Sequence, residues 1–239
     1  MSVLPLPEQK PVYVHTMFAA IAARYDLMNR LMTFGLDQGW RRYAVRYVAG
    51  ARAGGPRRAL DLATGTGDFL PLLHQAMPDA LVIGADFCLP MMQAGLSKLN
   101  ATAGRGGFTA GDALRLPFAD NSFDAITVGF GLRNVADLMA ALREMHRVAK
   151  PGGRMACLEV ARPASRLLRV GHHLYFTRVV PLLGALIGGN REAYTYLPQS
   201  AEVFPPPEHL RDLLRAAGWR HVHYRLLGGG AVAVHMAEK

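Results

Sequence analysis

Residues 59–70, with the sequence ALDLATGTGDFL, have the side chains and spacing best suited to chemistry in this chain. An apolar strand ends near Asp61, a turn with Gly65, Thr66 and Gly67 follows, and a helix begins after the turn. Glycines let a ligand lie against the backbone, and free N–H groups at the start of a helix attract an anionic group. A dinucleotide fingerprint counted from Gly65 needs glycine at position 70, which is leucine. The turn therefore predicts a site for a nucleotide-like cofactor that is not a dinucleotide.

Further polar residues follow the next strands. Residues 80–86 (ALVIGAD) have the composition of a second buried strand, which ends at Asp86. An acid at this position in an α/β fold binds ribose hydroxyls. Asp112 and Ala113 follow a third strand and are predicted to lie beside an adenine ring.

The elements that must position these residues alternate along the chain. A fourth strand is predicted at residues 125–129, and a periodic helix at residues 138–148. The sequence KPGG at residues 150–153 ends that helix and makes a turn, after which a fifth strand occupies residues 154–160. Strands and helices at this spacing require parallel pairing.

The turn resembles the acidic-x-small-x-Gly-x-Gly motif of S-adenosylmethionine-dependent methyltransferases, with Asp61 as its acid. Two longer segments resemble the signatures of one family of these enzymes, the ubiquinone/menaquinone biosynthesis C-methyltransferases. They are residues 18–35 (FAAIAARYDLMNRLMTFG) and residues 129–135 (GFGLRNV). Residues 191–197 (REAYTYL) continue the resemblance in the family's order, so that it covers nearly all of residues 12–239.

This resemblance implies a fold and an activity. The fold is α/β, a class I S-adenosylmethionine-dependent methyltransferase (Rossmann-like) with an N-terminal helical cap and a seven-stranded mixed sheet, whose last two strands are residues 222–227 and 231–236. The activity is transfer of a methyl group from S-adenosylmethionine to a ring carbon of demethylmenaquinol. Methylation of the polyprenyl-methoxy-benzoquinol of ubiquinone biosynthesis is an alternative that the sequence does not separate from it. An RNA methyltransferase and a noncatalytic cofactor-binding regulator are alternatives of other classes.

The family's cofactor contacts, carried over by motif position, fall on the turn and on the strand ends: Asp61, Gly65, Thr66, Gly67, Asp86, Asp112 and Ala113. The resemblance implies that the turn holds the methionine part of S-adenosylmethionine, with Asp61 near its ammonium group. Asp86 is expected to bind the ribose, and Asp112 with Ala113 the adenine.

Arg133 is the predicted electrostatic catalyst, because ring carbon is a poor nucleophile until a neighbouring hydroxyl ionises. Holding a phenol with a pKa of about 10 ionised at pH 7 costs about 4 kcal/mol. One neighbouring cation recovers about 1–3 pKa units, and Arg133 follows the fourth strand at the edge of the sheet where ligands bind. Asn134 is expected to orient the second ring oxygen. Tyr25, Asp26 and Asn29 are expected to close over the ring.

The group that takes the proton is not determined by the sequence. Asp26, Tyr25 acting through water, and His15 are the candidates, and each also has an ordinary structural explanation as a cap, a core residue or an exposed side chain. No metal site is predicted, because the nine histidines show no spacing that would collect three ligands on one face.

The composition suits one compact unit, with 239 residues of which 51% are hydrophobic. A Gly/Pro cluster at residues 53–56 is the predicted linker between a helical cap at residues 1–52 and a methyltransferase domain at residues 53–239. Two cysteines without a CxxC pattern favour a reduced, cytoplasmic setting. The longest apolar run, near residues 179–189, contains proline and is predicted to be too short to span a bilayer.

The net charge of +9 raises the question of an anionic partner. The basic residues are dispersed and form no RNA-binding module, so no nucleic-acid partner is expected. A solvated arginine-rich surface is one interpretation. The other is attraction to anionic lipid, worth about 1 kcal/mol per basic residue near the surface. It would place the protein at the inner face of the cytoplasmic membrane, where a polyprenyl hydroquinol substrate is found.

Residues 165–187 are too long and too apolar for an ordinary surface loop. One hypothesis is that they form helices over the mouth of the active site and shelter the prenyl chain. The alternative is that they pack on the sheet or on a partner subunit, as in a homodimer.

Overall fold

The structure is a computed structural model that describes residues 4–51, 57–163 and 165–239. One sheet contains seven strands: β1 (Arg58–Leu62), β2 (Leu81–Asp86), β3 (Gly106–Ala110), β4 (Phe123–Gly129), β5 (Ala149–Val160), β6 (Arg220–Leu227) and β7 (Val232–Glu238). Their order across the sheet is β3-β2-β1-β4-β5-β7-β6. The strands β1 to β5 pair in parallel, whereas β7 runs antiparallel to both β5 and β6. The predicted α/β fold with a seven-stranded mixed sheet is therefore confirmed.

The described residues form the following α-helices: α1 (Lys10–Ile21), α2 (Tyr25–Thr33), α3 (Leu36–Ala49), α4 (Leu70–Ala76), α5 (Leu89–Ala94), α6 (Leu138–Val148), α7 (Arg166–Leu174), α8 (Val180–Leu183), α9 (Arg191–Val203) and α10 (Pro207–Ala216). The α6 helix shows why such segments fold locally. Its Asp137 cap accepts the Ala140 N–H, and one stripe is buried: Ala141, Leu142, Met145 and Val148.

Apolar side chains cover both faces of the sheet. Alternation along β1 directs Leu60 and Leu62 into the cluster that packs with α6 and α10, and Ala59 into the cluster that packs with α3 and α4. Burying an aliphatic side chain contributes about 1.5–3 kcal/mol relative to leaving it exposed. Packing on both faces thus holds the carboxyl ends of β1, β2, β4 and β5 in one fixed arrangement.

The N-terminal helices do not all pack in the same place. The helices α1 and α2 join α8 and α9 in a separate apolar cluster that includes Val14, Met28, Val180 and Tyr194. The α3 helix, which falls within the predicted cap, packs instead on the sheet through Val45 and neighbouring residues. The predicted linker at residues 53–56, and with it the boundary between the two predicted domains, lies outside the described residues.

The fifth strand differs from the prediction. It begins at Ala149 rather than at residue 154, and its register on β4 shifts between the Phe123–Ala149 and Ala125–Arg154 pairs. The sequence KPGG is accommodated as a bulge within the strand. The predicted start is wrong because glycine and proline indicate a turn, but they do not show whether the residue before the turn already pairs with a neighbouring strand.

The segment after β5 forms one continuous helical run, Leu168–Gly188, of 21 residues. It passes through π-helical turns at Tyr175–Val179 and Gly184–Gly188. Pro181 does not interrupt it, because the preceding Val180 N–H already bonds five residues back, to Tyr175 O. By length and mean hydropathy this run suffices to cross a membrane, so the prediction that the apolar run is too short was wrong. Such a single helix is weak evidence for a membrane span.

Candidate functional site

The predicted glycine turn forms at the carboxyl end of β1, between that strand and α4. Gly65 and Gly67 have φ of +56° and +82°, values that residues with a side chain rarely adopt. A Cβ atom at Gly67 would lie 2.8 Å from the Phe108 ring. The turn is tied to the sheet because the Thr64 N–H donates to Ala85 O at 3.1 Å. Its backbone therefore lines a cleft at the strand ends.

Asp61 lies beneath this turn. It is buried, and its carboxylate accepts the Thr64 hydroxyl at 2.6 Å and the Thr127 hydroxyl at 2.8 Å. Burial raises the pKa of Asp61 to about 7, although the two hydroxyl donors act in the opposite direction. Asp61 thus helps to hold the turn, and its contact with the cofactor ammonium group stays a prediction.

The cleft is lined by four of the predicted cofactor contacts: Gly65, Asp86, Asp112 and Ala113. The Asp86 carboxylate accepts the Gly65 N–H at 2.7 Å and the Cys88 N–H at 2.8 Å. The Phe87 N–H also bonds to it, and since an ionised carboxylate has about four acceptor positions, about one remains for a ribose hydroxyl. Asp112 accepts the Leu114 N–H at 2.9 Å and so shapes the loop that presents Ala113 to the cleft. The open turn, the acid and the apolar wall fit S-adenosylmethionine.

Thr66 and Asp26, predicted respectively to contact the cofactor and the substrate ring, bond to each other. The Thr66 hydroxyl donates to Asp26 Oδ1 at 2.6 Å. Lys98 Nζ lies 2.8 Å from Thr66 Oγ1 and 2.7 Å from Asp26 Oδ2. These contacts join α2 to the glycine turn. The Thr66 hydroxyl and the Asp26 carboxylate therefore help to position α2 against the glycine turn.

A second, smaller cavity of about 70 Å³ adjoins the cleft. The two cavities share four wall residues: Phe18, Tyr25, Phe130 and Asn134. Asn29 and Arg133 line the second cavity only. The structure therefore brings together Tyr25, Arg133 and Asn134, three of the four predicted catalytic residues, at the boundary of the cofactor cleft.

Arg133 is not a free cation in this site. Its Nη1 lies 3.0 Å from Glu159 Oε2, and both side chains are buried. The charge of Arg133 is therefore largely balanced before any substrate binds. Stabilisation of an ionised ring hydroxyl then depends on directed hydrogen bonds more than on net charge.

Three buried polar atoms of residues that line the second cavity lack partners. Within the part of the chain that the structure describes, Asn29 Nδ2, Arg133 Nε and Tyr194 Oη make no hydrogen bond. Burial also raises the pKa of Tyr194 to about 12, which keeps its hydroxyl a donor at neutral pH. A Cβ atom at Gly184 or Gly188 would overlap the Tyr194 ring, so these glycines let the ring pack against the long helix. Unpaired buried donors are uncommon and indicate a place for a polar ligand.

The backbone beside Arg133 is held in an unusual conformation. Phe130 has φ of +58°, and its ring lies 5.6 Å from Arg41 Cζ and 5.8 Å from Arg133 Cζ. Asn134 Nδ2 donates to Phe130 O at 3.3 Å, and Asn134 Oδ1 accepts the Tyr196 hydroxyl at 3.2 Å. A strained residue of this kind persists only where its surroundings hold it, which is common at functional sites.

The three candidate bases occupy different places. Asp26 is paired with Lys98, and the His15 ring lies 5.9 Å from the Phe87 ring, beside the cofactor cleft. Among these three candidates, Tyr25 lines the second cavity. Burial raises its pKa, so Tyr25 stays protonated at neutral pH and can relay a proton rather than retain one.

Four further residues at this site were not predicted from the sequence: Arg41, Glu159, Tyr194 and Tyr196. Glu159 carries a usable signal, because it stands at the carboxyl end of β5, on the edge where the other strands place their site residues. Tyr194 and Tyr196 lie within REAYTYL, which was quoted for its resemblance alone. Nothing local singles out Arg41. Within the described ranges, no group of three or more histidine, cysteine, aspartate or glutamate side chains could hold a metal ion.

Comparison with known proteins identifies close relatives of this chain. A relative from Roseiflexus castenholzii, named demethylmenaquinone methyltransferase, is 58% identical over 100% of this chain and 98% of its own length. A protein of the same name from Thermus thermophilus is 48% identical over 93% of this chain and 100% of its length. One from Desulfotalea psychrophila, named ubiquinone/menaquinone biosynthesis C-methyltransferase UbiE, is 44% identical over 95% and 90%.

Solved structures share the fold at low sequence identity. An S-adenosylmethionine-dependent methyltransferase from Aquifex aeolicus matches with a TM-score of 0.59 and 19% identity, over 89% of this chain and 97% of that one. One from Thermotoga maritima matches with a TM-score of 0.59 and 20% identity, over 92% and 99%. The sequence profile of the ubiE/COQ5 methyltransferase family matches residues 6–239. With the motif, the cofactor cleft and full-length relatives in agreement, this chain belongs to the ubiE/COQ5 methyltransferase family.

Proposed function

We propose that this protein transfers a methyl group from S-adenosylmethionine to a ring carbon of demethylmenaquinol, which forms menaquinol. The observation that best supports this proposal is the second cavity, which adjoins the cofactor cleft and presents the unpartnered Arg133 Nε and Tyr194 Oη among apolar side chains. A hydroquinol is flat and apolar, with an oxygen on each side of the ring. It matches this combination of apolar walls and buried donors.

The relatives favour the naphthoquinol over the benzoquinol ring. The Roseiflexus castenholzii and Thermus thermophilus relatives, at 58% and 48% identity, are named for demethylmenaquinone. The Desulfotalea psychrophila relative, at 44% identity, is named for both quinones. The benzoquinol therefore remains the second substrate to test.

S-adenosylmethionine, when bound, supplies an electrophilic methyl group. The residues of the chain prepare the carbon that accepts it. Arg133 Nε and the Tyr194 hydroxyl donate hydrogen bonds to the ring oxygens, and these bonds strengthen when an oxygen is ionised. A hydrogen bond to a charged group contributes about 1.5–3 kcal/mol. The bond to the ionised oxygen therefore offsets part of the cost of about 4 kcal/mol for ionising the hydroxyl at pH 7.

Protons balance in two steps. The ring hydroxyl first loses its proton, and Tyr25, in the wall shared by both cavities, relays that proton outward through water. The ring carbon then bonds to the methyl group while the methyl–sulfur bond of the donor breaks, which leaves S-adenosylhomocysteine. The methylated carbon loses its own hydrogen as a proton and the ring oxygen regains a proton, so the aromatic hydroquinol is restored and one proton is released in all. One hydrogen of the ring is thereby exchanged for a methyl group.

The N-terminal helices keep the reacting groups in place. Lys10 Nζ donates to Arg133 O at 3.0 Å and to Val135 O at 2.8 Å, which ties α1 to the segment carrying Arg133. The Asp26–Thr66 contact ties α2 to the glycine turn. Holding two reactants in a productive orientation can contribute about 7–11 kcal/mol. The proposed role of α1 and α2 is this positioning, together with exclusion of water.

The test is methyl transfer from labelled S-adenosylmethionine to reduced short-tail demethylmenaquinol and, in parallel, to the demethyl benzoquinol. We expect transfer to the naphthoquinol, lost in the variant Arg133→Met. Cofactor binding without transfer to either ring would contradict the proposal and favour a regulator. RNA affinity that falls steeply with salt would instead favour an RNA methyltransferase.

We further propose that the outer face of the long helix rests on an anionic membrane. This face consists of Leu174, Leu182 and Leu186, of which Leu186 is 73% exposed. Phe34, 79% exposed, extends it because its ring lies 6.0 Å from the Tyr175 ring on the same helix. The net charge of +9 adds attraction to anionic lipid.

Flotation with vesicles containing phosphatidylglycerol tests this proposal. The variant Leu182→Glu/Leu186→Glu is expected to lose binding. The control Leu81→Glu, at the amino end of β2, is expected to keep it. Unchanged vesicle binding with loss of self-association in the double variant would instead identify this face as a homodimer interface.

A further inference from the structure

A third cavity, of about 750 Å³, has no role in the mechanism described above. It opens to the surface and is bordered by the carboxyl end of β5, by α7, by α9 and by the turn that precedes α10. Apolar side chains make much of its wall: Val160, Val170, Phe176, Pro198, Ala201 and Phe204. Ionisable side chains line the rest of it: Arg162, Arg169, His173, Glu202 and Glu208. Its volume falls in the range of about 300–1,000 Å³ that is typical of ligand pockets.

Phe176 connects this cavity to the ring site. Its side chain lines both the third cavity and the second cavity, which Tyr25 and Arg133 also line. Two other parts of the wall of the second cavity do not border the third cavity. Tyr25 and Phe130 face the cofactor cleft, and Asp37 with Arg41 forms a buried charged wall.

A substrate that carries a long apolar tail has to place it somewhere. The second cavity, at about 70 Å³, is too small for a ring together with a tail. The buried Asp37–Arg41 wall would be costly for an apolar chain to displace, because the charges would lose their partners. Among the described residues, Phe176 is the apolar side chain that lines both the second cavity and the larger third cavity.

We propose that the third cavity binds the ring-proximal isoprene units of the substrate tail, and that Phe176 is the side chain that the tail passes. This inference rests on the proposed function and adds a second binding site to it. Val170, at the edge of the cavity, is 62% exposed and belongs to the same helical run as the outer face. A tail that leaves the cavity there meets the surface proposed to lie on the membrane.

The experiment compares kcat/KM for a tail-less naphthoquinol and for the same ring carrying a geranyl tail. Ala201→Trp fills the cavity from α9, and Val203→Trp, 68% exposed on the same helix, is the matched control. We expect Ala201→Trp to lower kcat/KM for the tailed substrate by about tenfold or more, because apolar area of the tail stays in water. The tail-less substrate should change by less than about twofold, as should both substrates with the control.

A second variant keeps the proposal testable if Ala201→Trp fails to fold. Val170→Trp acts at the exposed edge of the same cavity and is expected to lower kcat/KM for the tailed substrate alone. If Val170→Trp lowers both substrates equally, or neither, the tail does not use this cavity. If the unaltered enzyme fails to turn over even the tail-less ring, the proposed function fails instead, so the two failures are distinguishable.

Discussion

Replacing Tyr194 by phenylalanine should change stability and activity in opposite directions. The Tyr194 hydroxyl is buried without a partner in the described part of the chain, and such a group costs about 1–3 kcal/mol. Tyr194→Phe removes that oxygen and leaves the ring packed against Gly184 and Gly188. We expect the free energy of unfolding to stay equal or to rise by about 1 kcal/mol or more, which corresponds to about 2–4 °C in Tm per kcal/mol for a chain of this size.

The same substitution should slow methyl transfer. The proposed hydrogen bond from Tyr194 to an ionised ring oxygen is worth about 1.5–3 kcal/mol. At about 1.4 kcal/mol per factor of ten, its loss lowers kcat/KM for the quinol by about 10- to 150-fold. The KM for S-adenosylmethionine should not change, because Tyr194 lines the second cavity and not the cofactor cleft.

The assay combines urea denaturation with methyl-transfer kinetics on the same preparations. Tyr175→Phe is the matched control, since the Tyr175 hydroxyl donates to Met32 O at 3.0 Å and does not line the second cavity. The control should lose about 1 kcal/mol of stability and keep its activity. A Tyr194→Phe protein that is less stable than the unaltered protein, or fully active, would refute the proposal that the unpaired Tyr194 hydroxyl donates a hydrogen bond to the substrate.

Three further predictions follow from the site. Because burial raises the pKa of Asp61 to about 7, the folded state holds one more proton than the unfolded state between about pH 4 and pH 7. The free energy of unfolding should therefore fall with rising pH in that window. Denaturation at several pH values should show this slope in the unaltered protein, and the Asp61→Asn variant should lose it. Gly67→Ala should lower the free energy of unfolding by about 1–3 kcal/mol, measured by denaturation, because of its positive φ and the Phe108 ring. Lys98→Met should expose α2 to limited proteolysis and raise the KM for S-adenosylmethionine, because Lys98 joins Asp26 to Thr66; unchanged protease sensitivity would contradict that role.

Local patterns predicted the parts of the site that local geometry builds. A strand followed by glycines and a helix can be recognised from a few consecutive residues. The ends of the next two predicted strands likewise locate Asp86, Asp112 and Ala113 without knowledge of distant contacts. The same method was wrong at the start of β5 and for the length of the apolar run near residues 179–189. Both errors depend on whether a strand or helix continues past glycine or proline, and neighbouring elements settle that.

The sequence by itself determined the α/β fold, the cofactor cleft and the family, because strand ends, turn glycines and signatures are contiguous in the chain. Only the tertiary structure decided how the polar groups of the site are paired. Glu159 lies 26 residues from Arg133, and Asp26 lies 40 residues from Thr66, and no periodicity links such positions. The donor Tyr194 reaches the ring site because α9 packs beside α1 and α8 in the same apolar cluster. Pairing across such separations follows from packing, which the order of residues along the chain does not state.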